Sequence, residues 1–196
     1  MNSDSKNKCI VIAEYAGEKM KIVVLQGSPN LDGSTAMMVD EFTKGAQSVG
    51  HSVVRIDVDR ANVHPCTGCV RCGYEGPCIQ HDGMDAVRED ILASDMVAFA
   101  TPLCYYGMSA QLKIVLDRFC SANFSITSKR MKCALLAVAW NSDNWTFDSL
   151  VSHYQTIVRY LSMQDQGMVL GYGCGTPGMT KHSSYLREVH ELGASL

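Results

Sequence analysis

The sequence lacks both an excess of basic residues and any long apolar run. Its 196 residues include 17 Lys and Arg against 20 Asp and Glu, a formal net charge of −3. This balance offers no basic surface that would bind nucleic acid through counterion release, so we expect no nucleic-acid partner. No apolar stretch approaches the roughly 20 residues that span a bilayer. The apolar core of the first residues is too short and too soon interrupted for a signal peptide, so we expect none. We therefore expect a cytoplasmic protein with no membrane partner.

The common nucleotide-binding motifs are also missing. The loop GSPNLDGST at 27–35 has five residues between its glycines and no lysine after them, so it is not a Walker loop. Pro29 stands where a G-x-G-x-x-G turn would have its second glycine. The six histidines show no metal-ligand spacing, and no acid–base triad is visible. Because the loop at 27–35 lacks the Walker spacing and its lysine, a magnesium-nucleotide site of the Walker type is excluded there.

Five short apolar runs predict parallel strands that are buried on both faces. They lie at 20–27, 51–58, 95–101, 132–140 and 167–173. Segments with helical periodicity alternate with them, at 34–50, 84–95, 109–122, 146–163 and 181–193. This alternation predicts an α/β protein with a three-layer, doubly wound fold around a five-stranded parallel sheet. Residues 20–196 would form this domain, and residues 1–19 an N-terminal extension or an extra edge strand.

The loop after the first strand is the first candidate site, because doubly wound folds bind ligands at the carboxyl ends of strands near a topological switch point. Its polar residues are Ser28, Asn30, Ser34 and Thr35. Hydroxyl groups beside the free N–H groups of a helix start suit a monophosphate. The alternative is a plain capped helix, with Asp32 or Ser34 as the N-cap.

The loop after the third strand is the second candidate. It places Tyr105 and Tyr106 between Pro102 and the start of a helix near Ser109. Two tyrosines offer stackable surface to a planar heterocycle, and the backbone N–H groups around them can bind its polar edge. The alternative is that the tyrosines pack between helices. A phosphate and a ring on neighbouring loops would belong to one ligand.

Four motifs resemble the NADPH-dependent FMN reductase and iron–sulfur flavoprotein family of the flavodoxin-like superfamily. In order from Met20 to Gly193, they are MKIVVLQGSPNLDGST, CTGCVRCGYEGPCIQHDGM, TPLCYYGMSAQLKIVLDR and GYGCGTPGMTKHSSYLREVHELG. The resemblance implies a flavodoxin-like fold and bound FMN. It assigns the phosphate to Ser28, Asn30, Ser34 and Thr35. It assigns the isoalloxazine ring to Pro102, Leu103, Cys104, Tyr105, Tyr106 and Gly107.

Four of the nine cysteines follow a C-x2-C-x2-C-x5-C pattern. They are Cys66, Cys69, Cys72 and Cys78. The second C-x2-C knuckle common in zinc sites is missing, whereas intervals of two residues are typical of iron–sulfur ligands. Three hypotheses stay open: a [4Fe-4S] cluster, which relatives in the resembled family carry on such a motif, thiols or a disulfide lining the site, and zinc. The other cysteines, at 9, 104, 120, 133 and 174, are expected to be small buried hydrophobes.

The resemblance implies an FMN-dependent oxidoreductase that uses NAD(P)H to reduce a small acceptor such as a quinone, a flavin or a nitro compound. The alternative is an iron–sulfur flavoprotein that carries electrons to an electron-transfer protein. A third hypothesis is a redox-sensing or flavin-storing protein with little turnover. The family also implies a homodimer or homotetramer in which Arg118 serves an interface, and the alternative for Arg118 is a solvated helix face.

Overall fold

The computed structural model describes residues 19–74 and 77–196. Their centre is a five-stranded, fully parallel sheet in the order β2-β1-β3-β4-β5. The strands are β1 (Lys21–Gln26), β2 (Ser52–Asp57), β3 (Met96–Pro102), β4 (Lys132–Val138) and β5 (Gln164–Gly171). The predicted fold class is confirmed. The prediction of an arm or extra strand over residues 1–19 lies outside the described residues, apart from Lys19.

Eight α-helices and one 3-10 helix flank the sheet in the described ranges. The helices are α1 (Ser34–Ser48), α2 (Arg71–Tyr74), α3 (Met84–Leu92), α4 (Ala110–Asp117), α5 (Asn123–Lys129), α6 (Asp148–Tyr160), α7 (Pro177–Lys181) and α8 (Tyr185–Ala194). The 3-10 helix is Arg118–Ala122, so the single helix predicted over 109–122 is two elements. Within the described part of the chain, no helix has the length and apolar character that crossing a bilayer requires.

The sheet separates two apolar cores. Alternate residues of β1 point to opposite faces, so Val23 and Leu25 contribute to one core and Ile22 and Val24 to the other. The first core includes side chains of α3, α4 and α6, and the second includes side chains of α1 and α8. The three inner strands are almost wholly buried, whereas the edge strand β2 is half-exposed. This burial explains why the three inner strands are largely apolar runs in the sequence.

Helices α1 and α8 touch at two glycines. A Cβ atom added at Gly45 would lie 2.1 Å from the carbonyl oxygen of His190, and one added at Gly193 would lie 2.4 Å from that of Phe42. Contacts this short with backbone atoms cannot be relieved by turning a side chain. The two helix backbones therefore approach closely because neither residue has a side chain at the crossing.

Candidate functional site

A cavity opens at the carboxyl edge of the sheet, where the strand order reverses around β1. Its volume is about 220 Å³. It is lined by Ser28, Asn30, Gly33, Ser34, Thr35, Pro102, Leu103, Val138, Ala139, Trp140, Cys174, Gly175 and Pro177. These residues come from the loops after β1, β3, β4 and β5, which all end at this edge. The position is the expected ligand site of a doubly wound fold.

The loop after β1 is held in shape by a buried side chain. The Oε1 atom of Gln26 accepts a hydrogen bond from the Ser28 N–H at 2.5 Å, and its Nε2 atom donates to the Ser28 carbonyl at 3.1 Å. The Ser28 hydroxyl in turn accepts from the Asn30 N–H at 3.2 Å. Gln26 is fully buried, so this loop is fixed from beneath without a ligand.

The N-terminus of α1 has no side-chain cap. Its N-cap residue is Gly33, which has no side chain to accept a bond, and the first turn contains no acidic residue. The first helical residue, Ser34, has a buried hydroxyl oxygen without a hydrogen-bond partner. The alternative that Asp32 or Ser34 caps the helix is therefore wrong.

An uncapped fifteen-residue helix directs its free N–H groups and positive dipole end into the cavity. A buried hydroxyl without a partner is costly unless a ligand satisfies it. Both features fit a phosphate group, which accepts hydrogen bonds and carries negative charge. Ser34, Thr35 and the N–H groups of the first turn of α1 are therefore suited to a phosphate group, and their assignment to the phosphate of FMN stays a prediction.

Ser109 joins the two candidate loops. Its hydroxyl donates to the Gly27 carbonyl at 2.6 Å and accepts from the Leu112 N–H at 3.2 Å, which also caps α4. The Ser109 N–H donates to the Thr101 hydroxyl at 2.9 Å. A Cβ atom at Gly27 would lie 2.8 Å from the Leu112 Cβ. Glycine is therefore required where the loop after β1 meets α4.

Residues 104–107 form a tight turn in which two tyrosines have left-handed backbone conformations. The Cys104 N–H donates to the Gly107 carbonyl at 2.9 Å, and the Gly107 N–H donates to the Cys104 carbonyl at 3.1 Å. Tyr105 and Tyr106 have φ angles of 49° and 67°. This is the conformation of a type I′ turn, which favours Asn-Gly and costs residues with a Cβ about 1–2 kcal/mol each. The turn leaves the Tyr105 side chain fully exposed.

The turn borders a second cavity of about 250 Å³. Its lining residues are Leu103, Tyr105, Tyr106, Ala139, Trp140 and Asn141. It shares Leu103, Ala139 and Trp140 with the first cavity, so the two are neighbours along one wall. The Tyr106 ring lies 5.3 Å from the Trp145 ring, centroid to centroid. A planar ring here would meet aromatic surface, as the tyrosine pair predicts.

Trp140 is the common wall, and Gly175 supports it. A Cβ atom at Gly175 would lie 2.2 Å from the indole Cε3 atom, so the indole rests directly on the glycine backbone. The side chain is nevertheless 68% exposed, which leaves apolar surface open to a ligand. No local pattern in the sequence predicts that Trp140 and Gly175 belong to the site. The rule that all parallel strands end at the same edge would have pointed to the residues after β4 and β5.

The structure brings most of the predicted cofactor residues together. Ser28, Asn30, Ser34, Thr35, Pro102 and Leu103 line the first cavity, and Leu103, Tyr105 and Tyr106 line the second. Cys104 and Gly107 line neither of them, because they are the two residues that close the turn by mutual hydrogen bonds. Their assignment to the isoalloxazine ring stays a prediction.

The four clustered cysteines lie on a segment between β2 and α3, residues 64–82, which we term the cysteine loop. Their thiols are free, and Cys66 and Cys69 are exposed. Burial raises the pKa of the Cys72 thiol, and the neighbouring thiols of Cys120 and Cys78 raise it further. A hydrogen bond from the Arg71 N–H lowers the pKa of Cys69. The thiols are thus close enough to influence one another.

The donors of an iron–sulfur site are therefore present but not converged. In the ranges 19–74 and 77–196, no three side chains of His, Cys, Asp or Glu are grouped so that they could hold one metal ion.

Two other expectations about side chains are wrong. Cys104 and Cys120 are exposed rather than buried, whereas Cys133 and Cys174 are buried as expected. Arg118 does not lie on a solvated helix face, because its side chain is only 1% exposed and is paired inside the chain with Asp82. Its expected role at a subunit interface stays a prediction. The short α2 lies against the 3-10 helix, which places Cys120 on the side of the cysteine loop.

A larger cavity of about 630 Å³ lies at the opposite edge of the sheet. Its lining includes Lys19, Asp95, Lys132 and Gln164, which flank or begin strands at their amino ends. Ligands of doubly wound folds bind at the carboxyl ends, so size alone does not make this cavity the site. The smaller pair of cavities is the better candidate because α1 and the unpartnered Ser34 hydroxyl face it.

Relatives of this chain include flavoproteins. An iron–sulfur flavoprotein of Archaeoglobus fulgidus is 34% identical over 99 residues, which are 50% of this chain and 45% of the relative. YwqN of Bacillus subtilis, whose name describes an NAD(P)H-dependent FMN-containing oxidoreductase, is 24% identical over 161 residues, 79% of this chain and 86% of the relative. The chain spans about half the length of the iron–sulfur flavoproteins that it matches.

Solved structures share the fold. An NAD(P)H:quinone oxidoreductase from Methanothermobacter marburgensis has a TM-score of 0.71 at 16% identity, over 90% of this chain and 96% of the other. An FMN-dependent NADH-azoreductase from Bacillus anthracis, in complex with FMN, has a TM-score of 0.68 at 12% identity, over 89% and 98%. At these identities the likeness shows the flavodoxin-like architecture alone.

The sequence model of one family covers nearly all of the described domain. It matches residues 20–190 and carries the description NADPH-dependent FMN reductase. Its range includes the loop after β1, the cysteine loop and the tyrosine turn after β3. The chain therefore belongs to the NADPH-dependent FMN reductase family.

Proposed function

We propose that this protein is an FMN-dependent oxidoreductase that uses NAD(P)H to reduce a small acceptor such as a quinone, a flavin or a nitro compound. The observation that carries the proposal is the uncapped N-terminus of α1 with the unpartnered Ser34 hydroxyl beside it. Bound FMN would supply the chemistry, by taking hydride from the nicotinamide and passing electrons to the acceptor. The chain has to supply binding and orientation.

The residues of the two cavities divide these tasks. Ser34, Thr35 and the first turn of α1 would hold the phosphate, while Trp140, Tyr105 and Tyr106 would bound the space for the ring. None of the described histidines lines either cavity, so no imidazole stands there to transfer a proton. This fits a site in which donor and acceptor bind in turn on the same open face.

The test is anaerobic rapid mixing of the FMN-loaded protein with NADPH and, separately, with NADH. We expect the visible flavin absorption to bleach in one phase whose rate saturates with nicotinamide concentration. Adding a water-soluble benzoquinone should restore the flavin absorption. In the steady state, double-reciprocal plots of rate against nicotinamide concentration, at several quinone concentrations, should be parallel, as in ping-pong kinetics. The proposal would be contradicted if neither NADPH nor NADH reduced the bound flavin faster than it reduces free FMN. That result would favour the electron-carrier or flavin-storage alternatives.

A second candidate function is an iron–sulfur flavoprotein that carries electrons between proteins. It is favoured by the four free thiols of the cysteine loop and by relatives that are named iron–sulfur flavoproteins. The discriminating experiment is an assay of iron and acid-labile sulfide on protein purified without oxygen. About four irons per chain would favour the carrier. Protein with flavin and no iron would favour the reductase with a thiol-lined loop.

A further inference from the structure

Arg118 is the most completely buried cation among the described residues, and it uses its guanidinium for four hydrogen bonds. Its Nη1 atom donates to the His64 carbonyl and to Asp82 Oδ2, both at 2.9 Å. Its Nη2 atom donates to Asp82 Oδ1 at 3.2 Å and to the Gln80 carbonyl at 3.3 Å. The side chains of Arg118 and Asp82 are 1% and 6% exposed. This is a bidentate ion pair that also binds two backbone carbonyls.

Asp82 completes the arrangement from the other side. It accepts hydrogen bonds from the His64 N–H at 2.9 Å and from the Met84 N–H at 3.0 Å. Burial alone would raise the pKa of the Asp82 carboxyl, but hydrogen bonds from Arg118 and these N–H groups hold the pKa well below its usual range. The carboxylate therefore stays charged, and the pair persists over the physiological pH range.

These contacts fall at the two ends of the cysteine loop. His64 precedes Cys66 by two residues, and Gln80 follows Cys78 by two residues. The Gln80 side chain adds a third tie, because its Nε2 atom donates to the Pro65 carbonyl at 3.1 Å. The two ends of the loop are thus held together around one buried ion pair.

The tip of the loop is held far less. Cys66, Cys69 and Val70 are exposed, and a Cβ atom at Gly68 or Gly73 would meet nothing within 4 Å. Val70 has a φ of 60°, an unfavourable angle for a β-branched residue. Apart from the packing of α2 against the 3-10 helix, few contacts of the described part of the tip therefore oppose its opening.

The geometry points to Arg118 as a positioning residue for the cysteine loop: locked on Asp82, its guanidinium ties both ends of residues 64–82 together. The four thiols then stay on one short closed loop beside Cys120 whether or not a ligand binds them. Without the tie, the loop would have to lose the entropy of closure each time its thiols came together. This inference is independent of the proposed function.

Limited proteolysis with trypsin tests whether Arg118 holds the cysteine loop closed, because the loop contains a trypsin cleavage site. Arg71 is exposed in the middle of the loop, and Lys181 is exposed at the end of α7, far along the sequence. Cleavage after each can be followed separately by mass spectrometry on the folded protein. In Asp82→Asn and Arg118→Met we expect cleavage after Arg71 to accelerate roughly tenfold or more, with cleavage after Lys181 unchanged. Arg118→Lys, which keeps the charge but has no fork, should be intermediate.

Asp117→Asn is the matched control. Asp117 is the neighbour of Arg118 and also forms an ion pair, but with Lys113 on the exposed face of α4. Its loss should leave both cleavage rates unchanged. Alkylation rates of Cys66, Cys69 and Cys72, measured on the same samples, should rise with cleavage after Arg71 in the Asp82 and Arg118 variants only.

Two results would overturn the inference. One is an unchanged rate after Arg71 in folded Asp82→Asn and Arg118→Met. The other is an equal acceleration at Arg71 and Lys181, which would mean that the pair only stabilises the whole chain. If the single variants do not fold because one charge is left buried alone, the double variant Arg118→Met with Asp82→Asn removes both charges and serves as the test.

Discussion

Replacing Ser34 with aspartate is expected to abolish FMN binding, with the dissociation constant rising by about 100-fold or more, while riboflavin binding is preserved. The substitution removes a hydroxyl that would donate to the phosphate and places a carboxylate at the start of α1. Hydrogen bonds to charged groups contribute about 1.5–3 kcal/mol, and like-charge repulsion adds to this loss. Riboflavin lacks the phosphate and so separates a local electrostatic effect from damage to the ring site. Titration calorimetry with both ligands measures the two constants.

Ser34→Ala is the matched control for this experiment. It should weaken FMN binding by roughly tenfold, because one donor is lost but no negative charge is introduced. The same change removes a buried hydroxyl that has no partner in the protein, so the apoprotein should be as stable as the unaltered chain or more so. Equal losses for FMN and riboflavin in both variants would refute the assignment of the α1 N-terminus to the phosphate.

Replacing Gly45 with alanine is expected to lower the free energy of unfolding by about 3 kcal/mol, the upper end of typical overpacking costs. The new Cβ would lie 2.1 Å from the His190 carbonyl oxygen, so α1 and α8 would have to move apart. For a chain of this length the melting temperature should fall by about 6–12 °C. Thermal unfolding followed by circular dichroism measures the change.

Gly178→Ala gives the opposite expectation and serves as the control. Gly178 is also helical, in α7, but its added Cβ would lie 3.9 Å from the nearest atom, the Thr176 hydroxyl oxygen. Alanine is favoured over glycine in helices by about 0.5–1 kcal/mol, so this variant should be unchanged or slightly stabilised. Similar effects at both positions would show that helix propensity, not backbone contact, governs Gly45.

The fold was predictable because its strands are simple in sequence. The three inner strands, which are buried on both faces, are apolar runs in the sequence. All five strands, including the two edge strands, were predicted within a few residues of their ends. Short helices were not predictable in this way. α5 is rich in Ser, Thr and β-branched residues with low helix propensity, and the burial of Ile126 compensates for this. Tertiary packing, which a local pattern does not contain, decides such elements.

The hydroxyl residues of the first cavity and the two tyrosines of the second were predicted from the sequence, whereas Trp140 and Gly175 were not. Hydroxyls beside glycines at a helix start are a local signal, and Ser28, Ser34 and Thr35 carried it. The support of Trp140 by Gly175 joins residues 35 positions apart, and the pairing of Arg118 with Asp82 joins residues 36 apart. The backbone geometry of the tyrosine turn was not predictable for another reason, because type I′ turns favour Asn-Gly and this one contains Tyr105 and Tyr106. These features arise only when the loops of several strands meet.

The placement of the aromatic residues has an optical consequence. The chain contains two tryptophans, Trp140 on the common wall of the two cavities and Trp145 against the ring of Tyr106. The tryptophan fluorescence of the protein, excited selectively at long wavelength, therefore originates beside one site. A bound chromophore that absorbs tryptophan emission should quench it almost entirely, and Trp140→Phe and Trp145→Phe variants would report separately on the wall and on the turn. The protein thus carries a built-in reporter of occupancy at its own candidate site.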